Sequence, residues 1–201
     1  MSLLFQIGLG VGLGVAAGLR PFLPTLLACG LAVGHHFKMA FRYGHFHFLQ
    51  KDWWLLAVAG LYILVWVVQV LLKADPFNPF GRRPLAIVIA LMGAAAAALL
   101  FGGTLRDHGH HGWIGAVAGA GCAALATVAT APILSGARKR LTDRAAREAL
   151  SLYVDGVALV FAAMTVAYKP LGFLTVPPML LLLAARLRRR GTKYAGLRIL
   201  R

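Results

Sequence analysis

The sequence predicts an all-α fold, a polytopic bundle of membrane helices, and three observations carry that reading. Hydrophobic residues fill 60% of the 201 positions and charged residues only 13%, which leaves too little polar surface to cover the apolar mass of a soluble domain. The apolar residues gather into about six runs near the roughly 20 residues a helix needs to cross a bilayer. The basic residues lie between and after those runs, where positive-inside bias and anionic lipid headgroups account for a formal charge of +15 and a nucleic-acid partner is not called for. The chain reads as one transmembrane domain, 1–201, embedded in a plasma (inner) membrane bilayer.

The runs fall at about 3–33, 53–72, 84–102, 113–135, 149–167 and 170–186. The first is long, and Pro21 and Pro24 predict a kink or break within it, because proline lacks the N–H and clashes with the preceding turn. Leu26-Leu27-Ala28-Cys29 resembles a lipoprotein cleavage box, but Met1 to Gln6 carries no positive charge and Arg20 interrupts the apolar core, so the run is read as a retained first span. Trp53 and Trp54 open the second run and Trp113 the fourth, as an aromatic belt requires. Thr142 is placed to cap the fifth helix. Pro177-Pro178 interrupts the short sixth run. Cys29 and Cys122 lie in apolar runs and read as small packing residues.

With the N-terminus inside, fifteen Lys and Arg fall on the inner side, among them Lys73, Arg82, Arg83, the Arg138–Arg147 group and the tail from Arg186. Five fall outside, which predicts both termini cytoplasmic. Residues 187–201 form a basic tail suited to lying on anionic lipid. Six spans also suit a 3+3 inverted repeat with broken helices, in halves 1–102 and 113–186. Arg83-Pro84-Leu85 and Lys169-Pro170-Leu171 would be equivalent helix starts on opposite sides. Gly8, Gly10, Gly12, Gly14, Gly18, Gly115 and Gly119 supply small-xxx-small spacings that place the first and fourth runs at the centre. Such a bundle is compatible with a homo-oligomer.

Arg20 is the one ionised residue of the first run, and a buried arginine is costly enough to require a partner or a wet cavity. Asp155 is the one acid well inside a predicted span, and Ser151 stands one turn before it on the same helix face. Three readings stand side by side: a structural Arg20–Asp155 pair, a binding or transport site, and an Asp155 that snorkels to the inner interface.

Ala17-Gly18-Leu19-Arg20-Pro21-Phe22-Leu23-Pro24, with Arg83-Pro84 and with Ser151 and Asp155, resembles a family of uncharacterised integral membrane proteins widespread in bacteria, a domain of unknown function. The resemblance runs over most of the chain and implies the same architecture and a role for Arg20. That family tends to carry an acidic pair near Asp155, where Val154 stands here, and an acid late in the second span, where this chain has Gln69.

Seven histidines, His35, His36, His45, His47, His108, His110 and His111, all fall in the predicted outer loops. Neutral imidazoles in His-x-His spacing suit zinc or copper, while a plain polar loop suits the same residues. Phe37, Phe41, Phe46 and Phe48 interleave the first group and predict an amphipathic segment on the outer interface. No nucleophile–base arrangement, HExxH, Walker loop or paired carboxylates is present, so no enzyme is expected and no cofactor beyond metal at the histidines. The functional expectation is a small transporter or flippase-like protein for an anionic solute or lipid headgroup, with Arg20, Pro21, Pro24, Ser151, Asp155 and Arg83 at the binding site. A non-catalytic assembly subunit held by an Arg20–Asp155 pair is the alternative, and metal capture by the outer histidines is a third.

Overall fold

A computed structural model describes residues 3–34, 41, 44–71 and 84–195. Among them are eight α-helices: α1 Leu3–Leu19, α2 Phe22–Val33, α3 Asp52–Leu71, α4 Pro84–Arg106, α5 Gly112–Arg140, α6 Arg144–Ala167, α7 Leu171–Leu174 and α8 Val176–Ala195, with a 3-10 segment at Gly44–Gln50. Five segments are long and apolar enough to cross a membrane, within α3, α4, α5, α6 and α7–α8. It is convenient to name the ends of the bundle after their turns. The histidine end carries the α4–α5 turn with His108, His110 and His111, and the arginine end carries the α5–α6 turn after Arg138.

The first run is two helices folded back on each other. Along α1, Gly10 meets the Phe101 ring late in α4, whereas Ala17 and Gly18 approach Gly93 in its middle. So α1 runs from the histidine end toward the arginine end. The return is equally clear, since Phe22 packs on Tyr62 of α3 at 5.6 Å between ring centroids, while Ala28, Cys29 and Ala32 join Leu9, Leu13 and Leu100 in one buried cluster near the histidine end. A residue before proline is pushed out of the α region. Arg20 is that residue; its N–H closes the last turn of α1 on Ala16 O at 3.0 Å, and Pro21, with φ −70, starts α2. The expected first span is therefore a re-entrant hairpin with Arg20-Pro21 at its tip. Leu3 and Val33 both lie toward the histidine end, and α8 runs toward the arginine end.

Close packing around α1 explains its glycines. A Cβ on Gly18 would stand 2.5 Å from Ala123 of α5, and one on Gly8 would stand 2.6 Å from Lys169 O. The stripe serves several neighbours, Gly10 facing α4, Gly14 and Gly18 facing α5, and Gly8 and Gly12 facing the α6–α8 connection. The first and fourth runs are central, as their spacings predict.

Helix ends inside the bundle find partners, which a dry interior demands. Thr127 Oγ1 donates to Gly18 O at 2.9 Å at the end of α1. In α5, Pro132 has no N–H for the carbonyl four residues earlier, and Arg186 of α8 donates Nη1 to that carbonyl, Val128 O, at 2.8 Å. Asp143, not Thr142, caps α6, its side chain accepting from Ala145 N. Pro177 and Pro178 occupy the first turn of α8, where a missing N–H costs nothing, so they begin that helix rather than interrupt it.

Two further expectations change. Phe41 is 1% exposed against Gly103, Leu49 is fully buried, and Phe46 packs on Gly102 and Gly112. These side chains close the histidine end from within instead of lying on the interface, because three glycines at the α4–α5 turn leave room for them. The halves also differ in kind, since the first opens on the α1–α2 hairpin and the second on α5, a single 29-residue helix that continues through Pro132. Lys169-Pro170 leads into the four-residue α7, while Pro84 opens the 23-residue α4.

Candidate functional site

Arg20, Ser151 and Asp155 meet at the hairpin tip. Ser151 and Asp155 lie one turn apart on α6 and so present one face to the tip. The pre-proline turn at Arg20 aims its side chain sideways from the end of α1. Its Nη2 donates to Ser151 Oγ, and its Nε lies 2.7 Å from Asp155 Oδ1. Arg20 and Asp155 are 7% and 9% exposed, so both charges are removed from solvent, and pairing offsets a desolvation that neither could sustain alone.

The pair borders two adjoining spaces, with Arg20 lining the smaller and Ser151 and Asp155 lining both. Beside Arg20, Pro21, Phe22 and Leu23 is a space of about 20 Å³, room for a water molecule. It adjoins a larger cleft of about 660 Å³ lined by Tyr62, Trp66 and Gln69 of α3, Arg138 of α5, and Arg147, Glu148, Ser151, Leu152 and Asp155 of α6. Tyr62, Trp66 and Gln69 form one stripe at helical spacing, as do Glu148, Ser151 or Leu152, and Asp155. The two stripes line the cleft together, one from α3 and one from α6. Arg138 and Arg147 stand toward the arginine end, so a path from there to Arg20 begins among cations. A planar guanidinium with a hydroxyl beside it suits phosphate or carboxylate oxygens.

Of the residues expected at the site, Arg20, Pro21, Ser151 and Asp155 line it together. Pro24 is fully buried in the first turn of α2 and shapes the hairpin without lining the cleft. Arg83 lies outside the described residues. Tyr62, Trp66, Arg138, Arg147 and Glu148 were missed. Nothing in the sequence singles out a tyrosine or tryptophan in an apolar run, and the three charges read as membrane-flanking residues. Gln69 did carry a signal, as the place where the resembling family tends to have an acid, and it lines both spaces.

His47, His108, His110 and His111 are exposed, and His108 Nδ1 donates to Thr104 O at 3.0 Å. His35, His36 and the side chain of His45 lie outside the described residues. Among the described residues no group of three or more His, Cys, Asp or Glu is placed to hold a metal ion.

No curated protein matches the chain. No solved structure matches it either. A family model described as domain of unknown function (DUF4126) matches residues 7–190, a stretch that takes in the hairpin, all five long apolar helices and both walls of the cleft. The chain belongs to that family of unknown function.

Proposed function

We propose that the protein is a small transporter or flippase-like protein that takes an anionic group, a phosphate or a carboxylate, at Arg20. The observation that carries this reading is a buried arginine at the tip of a helical hairpin, held by Ser151 and Asp155, which line a cleft together with Arg138 and Arg147. Broken helices at mid-depth are the usual place for substrate in transporters, where irregular backbone is tolerated because it borders a cavity. In this reading Asp155 and Ser151 occupy the guanidinium until an incoming oxyanion displaces the carboxylate. The exchange keeps Arg20 paired throughout and requires the displaced Asp155 carboxylate to take up a proton, so that no bare charge is left in the membrane.

Purified protein in liposomes tests the reading. Movement of an anionic solute or of a lipid with an anionic headgroup is expected from the native chain and is expected to vanish in Arg20→Ala. Liposomes that move neither, together with a host phenotype unchanged by Arg20→Ala, would sink the proposal.

The direct contact at 2.7 Å favours a second reading, an assembly subunit in which Arg20 and Asp155 hold the hairpin to α6. Replacing both by apolar residues then restores folded yield and leaves every host function intact.

A further inference from the structure

We infer that the ligand of this site is an amphiphile, a lipid with a phosphate-bearing headgroup, which enters sideways through the cleft lined by α3 and α6 from the leaflet at the arginine end. The inference rests on Arg20 as the anion site and adds the class of ligand and its route.

The cleft supplies the argument. A water-soluble anion needs a polar path to Arg20, but the walls here are amphipathic. Trp66 is 57% exposed and Leu152 is 72% exposed, each on its own helix stripe with the polar residues of the cleft. Large apolar groups facing the bilayer beside a buried arginine offer a surface to acyl or isoprenoid carbons while the headgroup is held further in. The charges are arranged along the same route. Arg138 lies in the last turn of α5 and Arg147 in the first turn of α6, and basic residues flanking membrane helices attract anionic lipid headgroups. Asp155 is eight residues beyond Arg147, about 12 Å deeper at 1.5 Å per residue. A headgroup attracted by Arg138 and Arg147 therefore has a second cationic station at Arg20, and Tyr62 and Gln69 line both the cleft and the space beside Arg20. The cleft of about 660 Å³ is in the range of small-molecule sites and suits a headgroup with its first chain carbons. The main helix contacts of α3 are with α2 and the 3-10 segment, and Val58 and Val65 also meet Ile89 of α4.

Trp66 provides a local probe. The protein is reconstituted in phosphatidylcholine vesicles containing acyl-brominated phosphatidic acid or, at the same mole fraction, acyl-brominated phosphatidylcholine. The Trp66 signal is the difference in quenching between the native chain and Trp66→Phe. Several-fold stronger quenching by the brominated phosphatidic acid is expected, reduced by Arg138→Gln/Arg147→Gln and abolished by Arg20→Gln. Where Arg20→Gln gives no folded protein, Ser151→Leu, which fills the space beside the guanidinium, takes its place. Equal quenching by the two lipids overturns the inference, and so does a preference that persists with that space blocked and depends on Arg138 and Arg147 alone. Inorganic phosphate separates the two ideas. If it raises the Tm in an Arg20-dependent way while the lipids quench equally, the anion site stands and sideways lipid entry falls. If phosphate has no such effect and the lipids quench equally, both fall.

Discussion

At the scale of single residues, Arg20 is held by two neighbours in sequence and two in space. Gly18 allows the end of α1 to touch α5, Pro21 forces the turn, and Ser151 and Asp155 receive the guanidinium. Breaking a buried pair leaves one uncompensated charge, at a cost of about 3–5 kcal/mol, so Arg20→Ala and Asp155→Ala should each lower the unfolding midpoint sharply. Arg20→Met/Asp155→Leu, which removes both charges, should recover most of that loss. Measured together with liposome transport, this cycle separates the two functional readings. Recovered stability without transport supports the anion site, and recovery of both supports a structural pair. Arg20→Lys is expected to fold but to lose function, since an ammonium cannot reproduce the planar fork that reaches Ser151 and Asp155 at once. The sequence made Arg20 and Asp155 visible because each is a lone charge in an apolar run. It left Tyr62, Trp66 and Arg147 unmarked, because residues of those types are ordinary in and beside membrane helices.

At the scale of elements, prolines in this chain do four different things. Pro21 turns a helix back, Pro24 sits buried in the first turn of α2, Pro132 is carried inside a continuous helix, and Pro177 and Pro178 start one. What distinguishes Pro132 is its compensation, with Arg186 donating to the carbonyl that the proline leaves open. Arg186→Ala should destabilise the protein by about 1–3 kcal/mol, the cost of an unsatisfied buried carbonyl. In a Pro132→Ala background, where residue 132 regains the N–H that can bond Val128 O, that cost should shrink. Thermal unfolding of the two single variants and the double variant checks it, and an undiminished cost in the Pro132→Ala background would assign Arg186 to other contacts. Close packing makes a third expectation. Gly18→Leu places side-chain atoms in the Ala123 backbone and should abolish folded yield, whereas Gly121→Leu, whose Cβ meets open space, should be tolerated.

At the scale of the whole molecule, the hairpin changes the topology. The beginning of α1 lies with the α4–α5 turn at the histidine end, and the α5–α6 turn lies opposite. Leu4 is 67% exposed and is suited to labelling by a membrane-impermeant thiol reagent after Leu4→Cys. It should react from the same side as His110→Cys and from the side opposite to Thr142→Cys, and reaction from the Thr142→Cys side would contradict the hairpin. The sequence by itself determined the class of fold, the central place of the glycine-rich runs, and the two buried charges. These properties are local or additive: hydropathy sums along a run, glycine marks a close approach, and a charge in an apolar run is conspicuous wherever the chain goes. Only the tertiary structure decided that the first apolar run turns back at Arg20 and that Arg20 meets Ser151 and Asp155. It also decided that Phe41 and Leu49 plug the histidine end, and that α3 and α6 line one cleft together. Those outcomes depend on which surfaces meet. A proline before a helix permits a kink or a full reversal alike, and the choice was made by Ala28, Cys29 and Ala32 finding their apolar partners beside Leu9 and Leu13.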